Sequence, residues 1–154
     1  MGASRNEVNK LMWEHKAISA HMKFLTDSLR KMTVPSSQGT AQSDRLQEQI
    51  RLYRWSLYDF REAIRRHIDL DERIFAMLLG RTSVEDIMGE HETIQKQLDN
   101  AISLAENAVY NKLRREELNK CASDITGAVS KICESIGAHM AKEDRLLKLL
   151  RKDS

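Results

Sequence analysis

The chain has almost nothing that breaks a helix: one proline and six glycines in 154 residues. Aromatic residues make up only 5% and charged residues 31%, a balance that favours long amphipathic helices over sheets. No apolar run approaches the ~20 residues that cross a bilayer, so no membrane association is expected. Neither sign of charge dominates: 25 basic residues stand against 23 acidic ones, for a net +2. Short basic clusters such as Arg65-Arg66 and Arg114-Arg115 are flanked by acids and read as solvated helix faces. That leaves no field strong enough to attract nucleic acid or acidic lipid. Cys121 and Cys133 are too few for a disulfide framework, which points to a reducing, cytoplasmic setting. The opening MGASRNEVNK has neither an apolar signal core nor a myristoylation pattern. One domain over residues 1–154 is expected, long enough to bury a substantial core.

What is present is periodicity. Ser4 followed by Glu7 is a capping box, and Val8, Leu11, Ile18, Met22, Leu25 and Leu29 follow it in helical step. That helix should end near Met32, because TVPSSQGTAQS, with Pro35 and Gly39, is turn chemistry. Ser43 or Asp44 should cap a second helix whose stripe is Ile50, Tyr53, Leu57, Phe60, Ile64, His67, Asp71, Ile74 and Leu78. Gly80 stops it, and TSVE (Thr82 to Glu85) is another capping box. The third stripe is Val84, Ile87, His91, Ile94, Leu98, Ala101, Ala105 and Ala108, fraying around Asn111. The fourth is Leu118, Ala122, Ile125, Val129, Ile132, Ile136, His139, Glu143, Leu146 and Leu150. Helices over roughly 4–32, 44–79, 83–111 and 115–151 predict an all-α, up-down-up-down antiparallel four-helix bundle. Seams of period 3.5 predict left-handed crossings near 20°.

Each apolar stripe carries the same irregularity. His15, His67, His91 and His139 all fall in step with their stripes, and Asp71 and Glu143 follow one turn after His67 and His139. In alternating topology the four histidines lie ~12–18 Å from the same end of the bundle, at ~1.5 Å per residue. Four independently placed imidazoles therefore converge on one layer of one core. Left bare, that layer costs several kcal/mol per group, against a total stability of ~5–15 kcal/mol. A pair of metal ions removes the problem, since neutral imidazoles and carboxylates are the ligands it needs. Four histidines and two carboxylates suit two metals, each with two histidines and a share of both carboxylates. Both cysteines lie off the stripe, so no thiolate joins the set. Iron leads on that chemistry, with manganese or zinc as alternatives.

The order His15 in EHKAI, His67 to Asp71 in HIDLD, His91 in EHETI and His139 to Glu143 in HMAKE resembles the hemerythrin family, specifically its hemerythrin-like HHE cation-binding domains. The resemblance spans nearly the whole chain. It implies a non-haem di-iron centre with carboxylate and oxo or hydroxo bridges, held by those six residues. It also implies O2 or a related diatomic such as NO as the small-molecule partner. Ferritin-like bundles, rich in Glu ligands with Glu-x-x-His pairs, match poorly, because this chain is rich in histidine and its pairs run His first. Two departures stand out. Asp71 occupies a position where the family usually has Glu. The metals then sit closer to the second helix, the bridge weakens, or Glu72 takes part. Gln95 stands where oxygen-carrying members have a fifth histidine, which puts reversible oxygen carriage in doubt and leaves sensing or redox chemistry open.

A di-iron enzyme acting on peroxide, NO or ferrous iron shares the same site. A metal-free histidine phosphotransfer bundle is the rival of another class. It would use His21 in HMKFL, a residue about 120° off the stripe at 100° per residue, but it leaves the polar layer unexplained. Ile18, Met22, Ile64, Ile94, Ile132 and Ile136 should wall the layer with hydrocarbon. Trp13 and Trp55 fall on outer positions, where they lie against basic stems or offer a homodimer surface. Glu14 and Glu90 precede ligand histidines, but sequence neighbours point to different sides of a helix.

Overall fold

The architecture follows from the four apolar stripes, each burying one face against its neighbours. The structure is a computed structural model describing residues 5–33, 40–79 and 81–152, with side chains over 5–32, 44–78 and 85–149. Helix α1 runs Arg5–Thr33, α2 Thr40–Leu79, α3 Arg81–Tyr110 and α4 Arg115–Lys152. Each helix packs on the next, and α1 also packs on α4, so the four close into a bundle. No described helix is long and apolar enough to cross a membrane.

Boundaries match the sequence reading to within one residue at all four ends and differ at two starts. α2 begins at Thr40, so Ser43 and Asp44 lie inside its opening turns rather than capping it. Ala41 and Gln42 are good helix formers and carry the helix upstream. α3 begins at Arg81, which puts Thr82 within its first turn. Ser4, Pro35, Gly39 and Gly80 lie outside the described residues. At the α3–α4 turn, Glu117 reaches back to accept from the Arg114 backbone N–H at 3.2 Å, half of a capping box.

The core is split in two. The larger cluster includes Leu25, Tyr53, Leu57, Phe60, Ile64, Ile94, Leu98, Ile125, Val129, Ile132 and Ile136. The smaller one, Val8, Leu11, Leu70, Ile74, Phe75, Ile87 and Leu147, closes one end of the bundle. On every helix the polar stripe residues fall between members of the two clusters. The wall residues Ile18, Ile64, Ile94, Ile132 and Ile136 are buried, with Met22 packed against them.

Three details escaped the stripe reading. Leu147, four residues after Glu143, is buried, while Leu146 is only half-buried. Cys121 is buried and its thiol donates to the Leu104 carbonyl at 3.1 Å. Arg54 is buried too, with its guanidinium 5.2 Å from the ring centroids of Trp55 and Tyr110 and 5.7 Å from that of Tyr58. Three aromatic faces partly replace the hydration this cation gave up. Trp13 and Trp55 are exposed, as expected, and each also lies against a cation, Lys16 for Trp13 and Arg54 for Trp55.

Candidate metal centre

All six sequence candidates meet in the layer between the two clusters. Asp71 and Glu143 are 0% exposed, and the four histidines are buried. They form two groups of potential ligand atoms: Asp71, His91, His139 and Glu143 in one, His15, His67 and Glu143 in the other. Glu143 belongs to both groups. Asp71 belongs to only one, although both carboxylates were expected to be shared. Its Oδ2 lies 2.8 and 3.5 Å from the α3 and α4 histidines and 4.0 Å from His67 Nε2, and the group of His15, His67 and Glu143 does not include it.

The spacing within the first group is that of a coordination shell. His91 Nε2 is 2.8 Å from Asp71 Oδ2 and 2.9 Å from His139 Nε2. His139 Nε2 is 3.1 Å from Glu143 Oε1 and 3.5 Å from Asp71 Oδ2. Ligands at ~2.0–2.2 Å from one ion lie roughly 2.8–3.6 Å from each other. In the second group Glu143 Oε1 is 3.3 Å from His15 Nε2 and 3.9 Å from His67 Nε2. Asp71 Oδ1, both Glu143 oxygens, His15 Nε2 and both His67 nitrogens are buried without a hydrogen-bond partner. Orphaned acceptors and imidazole nitrogens at this depth are costly left bare and could serve as donors to a cation.

A second ring of carboxylates surrounds the first. Asp144 accepts from His15 Nδ1–H at 2.7 Å and Glu72 from His91 Nδ1–H at 3.1 Å. Glu90 accepts from His139 Nδ1–H and also takes a bond from Lys142 Nζ at 3.0 Å. Glu14 lies 3.7 Å from His67 Nδ1, outside hydrogen-bond range. A proton held at Nδ1 turns the Nε2 lone pair inward, the tautomer that a metal ligand needs. Each outer acid neighbours a ligand of its own helix and serves the histidine of the next: α1 to α2, α2 to α3, α3 to α4, α4 to α1. Residues one apart are turned by ~100° around a helix. Chain reversal inverts that sense of rotation. The acid stands before the ligand on α1 and α3 and after it on α2 and α4, so all four point the same way around the bundle. Glu90 reaches the histidine of a neighbouring helix, Glu14 faces one without bonding it, and Glu72 supports His91 from outside.

The electrostatics follow from burial in this mutual company. Burial pushes the Asp71 carboxyl up, and neighbouring Glu143 adds to the rise against the histidines. Burial also opposes ionisation of Glu143, but His139, His15 and His67 face it and hold it well below the usual carboxylate range. Burial disfavours the charge on His139, yet Asp71, Glu143 and Glu90 outweigh it and push its pKa up to about 10. His15 is raised similarly, by Glu143 and Asp144 against burial. Glu90 is lowered, since bonds from His139 and Lys142 overcome its desolvation.

Neither histidine-like rival joins the layer. The His21 ring is half-buried and edge-on to Phe60 at 4.9 Å, outside both groups. Gln95 lines a cleft of about 250 Å³ with Arg61, Arg65 and Asp99. The outer acids left a trace in the sequence, Glu14-His15 and Glu90-His91 on one pair of helices, Asp71-Glu72 and Glu143-Asp144 on the other. No protein-family model matches the chain, and neither a curated protein nor a solved structure matches it.

Proposed function

We propose that this chain is a non-haem iron protein of the hemerythrin-like kind, holding two iron ions in its polar layer and binding or sensing O2 or a related diatomic such as NO there. The observation that carries the reading is the convergence of four buried imidazoles and two buried carboxylates in one layer. Iron bound there would supply redox-linked affinity for a diatomic ligand. The protein does the rest. Outer acids fix the inward tautomer of the histidines, and Glu143, held ionised, faces both groups. The apolar clusters on either side exclude water, which strengthens every charge interaction in the layer. Six protein side chains cannot fill two six-coordinate shells, so positions remain for a small ligand. Manganese and zinc accept the same donors, and metal analysis separates them.

The test is elemental analysis and an ultraviolet-visible spectrum of aerobically purified protein, beside a His67→Ala, His139→Ala double variant. About two irons per chain are expected by the count of ligand groups, with near-ultraviolet charge-transfer bands that the variant lacks. Adding O2 or NO to the reduced protein should then change the spectrum reversibly. Parent protein without stoichiometric metal sinks the reading and leaves a hydrogen-bonded polar layer. Peroxide turnover far above that of free iron would make the protein an enzyme instead of a binder.

A further inference from the structure

We infer that the two ligand groups are unequal: Asp71, His91, His139 and Glu143 form a firm metal site, and His15, His67 and Glu143 form an exchangeable one. This rests on the metal-centre reading above and adds an order of loading and loss to it.

Three independent features point the same way. The first is donor count: the firm group has four side chains, two of them carboxylates, and the other has three with only the shared Glu143. Each added carboxylate brings a negative charge to a buried cation, where it is felt most strongly. The second is spacing. The firm group already stands at 2.8 to 3.5 Å between donors. In the other group Glu143 Oε1 lies 3.3 Å from His15, within that spacing, but 3.9 Å from His67, which must close in before it grips.

The third feature is support from outside. Both histidines of the firm group donate Nδ1–H to an acid, Glu72 or Glu90. In the other group His15 has Asp144, but Glu14 stands 3.7 Å from His67, and neither His67 nitrogen is hydrogen-bonded. An imidazole without its outer partner has no hydrogen bond to fix its tautomer and is a weaker base; losing such a partner lowers metal affinity by about 10–100-fold. Among the described residues His15 is the one candidate ligand that α1 supplies, so α1 serves the exchangeable site alone. Two-metal chemistry then turns on only when free metal is plentiful enough to fill the second site.

Chelator-stripped protein titrated anaerobically with cobalt(II), read by visible absorption and calorimetry, tests this. The parent should bind one equivalent tightly and a second at least about tenfold more weakly. His67→Ala should remove the weak step and keep the tight one, whereas His91→Ala should remove the tight step. Glu72→Gln should weaken the tight step by about 10–100-fold, and Glu14→Gln should change the weak one by less than about threefold. Should a variant fail to fold, equilibrium dialysis of cobalt-loaded parent against graded chelator should still show a plateau at one cobalt per chain. Two steps of equal affinity overturn the inference while leaving the proposed function standing. So does His67→Ala weakening both steps alike, whereas saturation of the parent at one equivalent overturns the inference and the two-metal reading together. A parent that binds no cobalt removes the metal-centre reading itself.

Discussion

Stripping the metal should cost the protein much of its stability, by an amount set by the layer's unpaired atoms. Among the described residues, seven of the ten buried side-chain polar atoms without a hydrogen-bond partner belong to Glu14, His15, His67, Asp71 and Glu143. At ~1 kcal/mol each they would withhold at most about 7 kcal/mol from a fold whose whole stability is of order 5–15 kcal/mol, less what the ion pairs of Glu143 with His15 and His139 return. Metal at a thousand times its dissociation constant restores ~4 kcal/mol. For a chain of this size that raises Tm by about 8–16 °C, at 2–4 °C per kcal/mol. Differential scanning calorimetry on stripped and loaded protein at one pH reads this directly. Glu143→Gln, which keeps the shape of the one residue common to both groups, should lose most of the rise. Loaded and stripped proteins melting within about 2 °C of each other would refute the reasoning. So would a full rise retained in Glu143→Gln.

Protonation gives an opposed pair of pH effects. His139 titrates near 10 against an ordinary 6.5, so its charged form stabilises the stripped fold fully below 6.5, and that contribution fades as pH climbs toward 10. Urea midpoints of stripped protein should fall over that window; midpoints rising from pH 7 to 9 would contradict it. Cobalt affinity should move the other way, by about tenfold per pH unit for each proton displaced, and a flat affinity would show that His139 carries none. Elsewhere, Tyr53→Phe removes the buried bond to the Leu25 carbonyl at 3.2 Å, which should cost about 1 kcal/mol by urea titration, and no measurable loss would mean that the bond is already exchanged with water. Phe60 is fully buried in the larger cluster, so Phe60→Ala should cost ~3–5 kcal/mol, and a loss below ~1.5 would mean that the core collapses onto the space.

The stripes exposed the fold and the six inner residues because both depend on one helix at a time. Val129, Leu98 and Phe60 sit where the 3–4 step puts them, and so do His15 and His139. What stayed hidden depends on two helices at once. Whether Asp71 is shared depends on where histidines of other helices stand around its carboxylate, which no single stripe shows. Leu147 rather than Leu146 is buried, since a seam read in alternating steps fixes a face to within one residue only. Arg54 reads as a surface cation until Trp55, Tyr58 and Tyr110 are seen around it. The outer acids were in view as neighbours of the ligands, but their targets lie across the interface, and the reversal of sense between up and down helices assigns them.

The polar layer also bears on which packing the chain adopts. Leucine, isoleucine and methionine exchange places in a core for less than ~1.5 kcal/mol, so apolar stripes alone tolerate alternative registers. The carboxylate ring does not. Three outer pairs, Asp144–His15, Glu72–His91 and Glu90–His139, tie neighbouring helices together, so moving one helix by a residue turns its face ~100° and breaks those it takes part in. The stripped layer is therefore a poor source of stability and a sharp source of register, as a single buried polar residue is in a coiled coil. Replacing the six inner residues by leucine or methionine should raise Tm above that of the stripped parent, by removing the unpaired groups, and abolish metal binding. It should also broaden the methyl lines and narrow their dispersion in a two-dimensional NMR spectrum, as a mixed-register core does. A variant as sharp as the parent would show that the apolar seams fix register alone and that the layer serves the metal only.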